Sequence, residues 1–361
     1  MSERARLGYL VALAAAIAGG GCNESPLEPI PVEPEAGLHG FEASLDSIRV
    51  HLRIPGLSAA VARGSDIEWA RGFGMADVER GVQATDTTAF YLASVTKPIA
   101  AIVLMQLVEE GAFALDDPLR DFGVDLEADG VITVQHLLNH TSEGTPGTVF
   151  RYNGGRYARL GDVVAEATGT TFAHLLVERI LAPLELRHTA PDVTILSAFY
   201  EAGLDRQAFL RNVAMPYELV DGRVVASGRL RHFSPAAGLV ASASDVARIS
   251  QALDAGRFLA PATQALMLSP TIEIHGPDKT YGLGWYVQWY EGVKLEWHYG
   301  LAIGHSSLLI RAPDLGLTFV ALANTSRLTG AYDLRTADIT VTDVGRLFVE
   351  SYVRGDTPAS P

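Results

Sequence analysis

Apolar residues recur along this chain with two different periods, and the changes between them divide it. Over residues 41–53, Phe41, Leu45, Ile48, Val50 and Leu52 share a broad face at helical spacing, and Pro55-Gly56 ends the run. Residues 57–62 and 67–72 then read as two short strands joined at Gly64-Ser65-Asp66, an antiparallel hairpin. A strongly apolar helix is predicted over 99–110, stopping at Gly111, with Pro98 early in its first turn, where a missing N–H costs nothing. Helical spacing continues over 133–140, 157–168, 171–181, 243–253 and 261–268. Strand patterns return at 283–289, 293–297, 306–311 and 317–323, and a closing helix is predicted over 342–354. Two early strands and several late ones, separated by a helical block, predict an α/β (α+β) fold. Its antiparallel sheet is assembled from both chain ends (about 38–93 and 270–355), flanked by helices, with a mostly helical insertion over about 94–269.

The first 37 residues follow neither period. Arg4 and Arg6 precede an apolar stretch over 7–18 that is too short to cross a bilayer comfortably, and small residues lead on to Cys22. Residues 1–21 therefore read as a secretory signal. Cys22 is the only cysteine, so it has no partner for an internal disulfide. Its position resembles the lipobox of bacterial lipoproteins, where the cysteine is acylated and becomes the mature N-terminus. That resemblance implies a lipid anchor at Cys22 and a periplasmic or cell-surface protein. Residues 22–37 are rich in Pro and Glu, as a solvated tether should be, and 38–355 are left as the folded domain.

Charge narrows the partners. The formal net charge is −14, and loss of residues 1–21, with two arginines and one glutamate, makes it −15. Such acidity argues against nucleic acid or anionic lipid as a partner but says little about the substrate, which the chemistry below makes a small molecule or peptide.

Chemistry concentrates where the apolar helix begins. In Tyr91-Leu92-Ala93-Ser94-Val95-Thr96-Lys97-Pro98, a hydroxyl and an amine stand three residues apart. Positions i and i+3 of a helix share a face, so Ser94 and Lys97 can look into one cleft as nucleophile and base. Lys97 is one of three lysines in the chain, and a cation facing an apolar segment needs a reason.

These residues resemble the serine beta-lactamase and penicillin-binding superfamily in its class C-like branch, which also holds D-aminopeptidases, D-alanyl-D-alanine carboxypeptidases and beta-lactamase-like esterases. Further stretches resemble it in order: 132–142 (ITVQHLLNHTS), 146–161 (PGTVFRYNGGRYARLG), 180–189 (ILAPLELRHT), 235–247 (PAAGLVASASDVA) and 281–285 (YGLGW). The resemblance covers residues 40–350 or so and implies a beta-lactamase/transpeptidase-like fold with no cofactor and no metal. It makes Ser94 the acylated nucleophile, and Lys97 either the base or the group that lowers the pKa of a second base. The branch's Tyr-x-Asn motif is here Tyr152-Asn153-Gly154, so Tyr152 is the implied proton shuttle. Glycine stands where a substrate-contacting amide is expected, and Asn153 is the candidate substitute.

The branch's third motif is His298-Tyr299-Gly300. By resemblance His298 contacts substrate, Gly300 lets a substrate backbone approach, and the N–H groups of Ser94 and Leu301 form the oxyanion hole. A neutral histidine holds a carboxylate less well than lysine would, which favours an esterase or D-amino-acid peptidase over a specialised beta-lactamase. Beta-lactam hydrolysis, and a binding protein for peptidoglycan or peptides that keeps the fold without turnover, are the alternatives. His136 and His140 stand four apart, as zinc ligands on a helix do, but Leu137 occupies the place of a zinc protease's glutamate, and packing is the better account of both. Trp285, Trp289 and Trp297 read as core rather than as cleft lining.

Overall fold

The computed structural model describes residues 38–354. The expected signal segment, the tether and Cys22 lie outside the described residues.

The two chain ends meet in one sheet. Its nine strands run in the order Val82–Gln83, Asp66–Asp77, Gly56–Arg63, Leu317–Ala323, His305–Ala312, Val293–Ala302, Tyr286–Tyr290, Lys279–Tyr281 and Ile272–Glu273, with every neighbouring pair antiparallel. The join is the pairing of Gly56–Arg63 with Leu317–Ala323, in register from Leu57 opposite Ala323 to Arg63 opposite Leu317. Both faces of this central region are covered, so the strands are buried almost throughout and the period-2 alternation selects a core rather than exposure. Ala60, Ala62, Leu309, Val320 and Leu322 face the helical block. Leu57, Ala59, Val61, Ile310 and Phe319 face the terminal helices Leu38–His51 and Asp343–Phe348, meeting Phe41, Leu45 and Phe348.

Several expected elements are shaped by contacts that no local pattern encodes. The expected helix over 157–168 is two pieces, Gly154–Ala158 and Leu160–Thr168, and it starts early because the Asn153 side chain accepts the Arg156 N–H. The expected strand over 283–289 starts only at Tyr286; before it, Gly282–Trp285 turns tightly, with the Gly282 N–H donated to the Trp285 carbonyl at 2.8 Å. A hairpin that the sequence reading did not assign joins Tyr217–Val220 to Arg223–Ala226. Its Asp221-Gly222 loop has φ of 48° and 72°, the two positive values that a two-residue type I′ turn requires. Trp285 and Trp297 are buried core, and Trp289 is half-buried.

Candidate active site

The strand Phe90–Tyr91 passes through a short 3₁₀ turn, Ala93–Val95, directly into the helix Thr96–Glu109. Ala93 takes φ 45°, a left-handed conformation that is costly for a residue with a Cβ. Contacts on every side hold it there. The Leu92 N–H donates to the Leu239 carbonyl at 2.8 Å, Thr96 Oγ1 donates to the Ala93 carbonyl at 2.7 Å and accepts from the Leu239 N–H, and Ser307 Oγ donates to the Leu92 carbonyl at 2.6 Å. The turn thus presents Ser94, half-buried, directly ahead of the helix that carries Lys97.

Lys97 comes one helical turn later and is 1% exposed. Its Nζ donates to Ser94 Oγ at 3.0 Å and to the Ala236 carbonyl at 3.0 Å. No carboxylate offsets its burial, so burial alone pulls its pKa down from 10.5 to about 7. The amine is therefore available in its neutral form near neutral pH, as a base must be.

Tyr152 closes the group. Its ring lies 4.8 Å from Lys97 Nζ, and its hydroxyl faces Ser94 closely enough for the serine to favour the phenolate. The residue as a whole is 36% exposed, but its hydroxyl end is buried. Burial of that end raises its pKa well above the ordinary value, Tyr299 and Tyr157 act in the same sense, and the Ser94 hydroxyl acts against them. The phenol is consequently protonated across the pH range in which Lys97 titrates.

The structure places the remaining sequence candidates differently. His298 is fully buried: Nδ1 donates to the Tyr299 carbonyl at 2.7 Å, so Nε2 accepts from Tyr281 Oη at 3.1 Å. Burial first, then the nearby Lys97, hold its pKa well below the usual histidine value. A neutral ring with both nitrogens engaged has nothing left to offer a substrate carboxylate. Asn153 is also committed, accepting from the Arg156 N–H at 3.0 Å and donating to Glu143 Oε1 at 2.5 Å, so its side chain does not replace the missing amide. A Cβ on Gly154 would stand 3.8 Å from Lys97 Nζ, so a side chain there would reach the amine; the Ala236 carbonyl supplies the second contact instead.

Gly300 is glycine for a different reason from the one expected. A Cβ there would lie 2.2 Å from the Leu92 carbonyl oxygen and 2.2 Å from Ser307 Oγ, so it is the nucleophile turn, not a substrate, that needs the space. Leu301 follows on the same strand, which outruns its neighbour: pairing with Tyr286–Tyr290 stops at Trp297, and the edge beyond it is open on that side. His136 and His140 do not share a helix face, because the helix Val134–Leu138 ends between them. His136 Nδ1 instead accepts from the Thr133 N–H at its helix start. Among the described residues no cluster of three metal-ligating side chains occurs.

Sequence reasoning missed four contributors: His140, Tyr157, Tyr281 and the Ala236 carbonyl. Tyr157 Oη reaches the Lys97 carbonyl at 3.4 Å, and Gly284, at φ 84°, lies so close that a Cβ would stand 2.9 Å from that hydroxyl. The YGLGW stretch therefore works as a wedge against the lysine's helix.

A family model described as Beta-lactamase matches residues 41–342. The chain belongs to the beta-lactamase family. Within it, the chain is similar to esterase EstB of Burkholderia gladioli, 29% identical over 359 residues that cover 79% of this chain and 90% of that protein. It is also similar to the D-aminopeptidase of Brucella ovis, 27% identical over 308 residues, covering 75% of this chain but 56% of the relative, so it spans little more than half of that longer protein. Among solved structures, an octameric penicillin-binding protein homologue from Pyrococcus abyssi superposes with TM-score 0.75 at 22% identity, covering 88% of this chain and 77% of that one. The D-amino acid amidase of Ochrobactrum anthropi gives 0.70 at 20%, covering 88% and 99%. These structures share the fold. With the named relatives, the family match makes the chain a hydrolase of the beta-lactamase fold.

Proposed function

We propose that the chain is a serine hydrolase that cleaves an ester or amide through an acyl-enzyme, as an esterase or D-amino-acid peptidase of the cell envelope. The observation that carries this reading is the 3.0 Å contact between Ser94 Oγ and a lysine amine whose burial brings its pKa down to about 7, so that the neutral form is well populated near neutral pH. Ser94 Oγ attacks the substrate carbonyl carbon while its proton passes to Lys97 Nζ. The N–H groups of Ser94 and Leu301 stabilise the tetrahedral oxyanion. Collapse breaks the bond to the leaving group, which takes a proton from Lys97 by way of the Tyr152 hydroxyl. Water then attacks the acyl carbon, again giving its proton to Lys97, and Ser94 Oγ recovers a proton as it leaves.

The engaged, neutral His298 supports an ester or an uncharged amide as substrate over one recognised by a terminal carboxylate. Peptidoglycan fragments fit the class only as uncharged acyl donors. The leader and Cys22 support a lipid-anchored, extracytoplasmic location, and Cys22→Ser is expected to release the protein from membranes.

Intact-mass spectrometry of the purified protein with a fluorophosphonate and with a penicillin, alongside p-nitrophenyl acetate and butyrate hydrolysis, tests the catalytic reading. Adducts and turnover that vanish in Ser94→Ala are the expected result. No adduct and no turnover above that variant would leave a binding protein on a hydrolase fold, and a penicillin adduct that turns over would identify a beta-lactamase.

A further inference from the structure

His140 carries two local penalties and touches the site. It adopts φ 58°, the left-handed region, although it is not glycine, a conformation that is costly for a residue with a Cβ. It is also 2% exposed, and its Nε2 is buried with no hydrogen-bond partner, a further cost to the fold. Such a residue persists only where its surroundings dictate its conformation.

What surrounds it is Tyr152. The Arg151 N–H donates to the His140 backbone carbonyl at 2.8 Å, and the Asn153 N–H donates to His140 Nδ1 at 3.2 Å, so one residue grips the chain on both sides of the tyrosine. Between these bonds the imidazole lies against the phenol ring, with centroids 4.2 Å apart and planes tilted by 34°. On its other sides it is packed by Phe150, Tyr157 and Tyr281 at 5.3–5.9 Å, so the grip is backed by core. The left-handed backbone makes this possible: the chain has just left the helix Val134–Leu138, and the positive φ lets the ring nitrogen and the carbonyl face the 151–153 segment together.

We propose that His140 is a positioning residue for Tyr152, holding the phenol against Ser94 by accepting the Asn153 N–H and stacking on the ring, without exchanging a proton itself. Accepting that N–H requires an unprotonated Nδ1. Burial, then Lys97, then His298 hold the imidazole pKa well below its ordinary value, so the acceptor is present throughout the working pH range. The unpartnered Nε2 follows from the same tautomer: it carries the hydrogen, and it is enclosed among aromatic rings.

This inference rests on the Ser94 reading, and a double-mutant cycle separates the two. The rate of fluorophosphonate labelling is measured by intact mass for the wild type, His140→Phe, Tyr152→Phe and the double variant, with thermal melting of each. His140→Phe keeps a flat ring but loses the acceptor. Labelling is expected to slow by about 10- to 100-fold in the wild-type background, and by no more than about twofold once Tyr152 is already phenylalanine. An equal loss in both backgrounds would mean that His140 only supports the fold, and a wild-type rate in His140→Phe would overturn the proposal outright. If His140→Phe fails to fold, His140→Gly, which tolerates positive φ and offers neither acceptor nor ring, takes its place in the same cycle. A wild type that is not labelled at all would instead sink the serine-hydrolase reading before His140 is tested.

Discussion

Gly300 and Leu92 are in contact through bare backbone: the space where a Gly300 Cβ would lie is 2.2 Å from the Leu92 carbonyl oxygen, which also accepts from Ser307 Oγ at 2.6 Å. The strand Val293–Ala302 and the turn carrying Ser94 are thus fitted to each other at a point where neither can yield to a side chain. Gly300→Ala should push the turn outward. Overpacking of this kind costs about 1–3 kcal/mol of stability, and a displacement of the nucleophile on the order of 1 Å should slow acylation by about 100-fold. Urea unfolding and fluorophosphonate labelling measure the two separately. A normal labelling rate in a destabilised protein would show that Ser94 is placed by the helix and not by this contact.

Beneath the sheet, Arg311 and Glu296 stand opposite each other on adjacent strands, 0% and 2% exposed, with Nη1 to Oε2 at 2.8 Å. Arg311 also pairs with Asp254 and lies 5.2 Å from the Trp285 ring, while Lys294 supports Glu296 at 2.9 Å. Arg311→Met would leave a buried carboxylate with only a half-exposed lysine. A loss of about 3–5 kcal/mol is expected from that uncompensated charge. Arg311→Met combined with Glu296→Met should recover much of it, because both desolvation costs then disappear. If chemical denaturation finds the double variant no better than the single one, the pair contributes more than it costs in this fold.

How much of this was legible depended on the range of the contact responsible. The strand Leu317–Ala323 coincides at both ends with its expected limits because it is buried on both faces and its apolar run is the whole signal. Ser94 and Lys97 were legible because three residues of helix bring them together. Ala236, 139 positions beyond Lys97, was not, since it contributes a carbonyl that every residue type carries. His140 and Gly284 were misplaced for a related reason. Each takes a positive φ beside an aromatic partner distant in sequence, Tyr152 or Tyr157, while the local pattern speaks only for helix or strand. Gly300 was recognised as a position that must be glycine, but which backbone approaches it is a property of the assembled fold. His298 stands in the motif position of a cleft-lining cation, yet Tyr281 and its own neighbour's carbonyl occupy both of its nitrogens.

Lys97 links both stability and activity to pH. Its pKa falls from 10.5 to about 7 on folding because the amine is buried without a counter-ion. Between those two values the unfolded chain holds a proton here that the folded chain has released, so stability rises with pH across that window. Below about 7 the native protein carries the full cost of a buried ammonium. Lys97→Met has no such group and fills a similar volume, so it should be more stable than the wild type by about 1–3 kcal/mol at pH 6.5, with the gap closing as pH approaches 10. Acylation should also rise with pH, but over a lower window. Labelling of the wild type should rise close to tenfold per pH unit below a midpoint near 7 and level off above it, because only the neutral amine can take the proton of Ser94. Labelling of Lys97→Met should be lost at every pH. Denaturation at pH 6.5 and 9.5, with labelling rates between pH 5.5 and 9, checks both halves. A rate independent of pH in the wild type would move the role of base to another group, and a stability gap independent of pH would mean that Lys97 keeps its proton in the folded state.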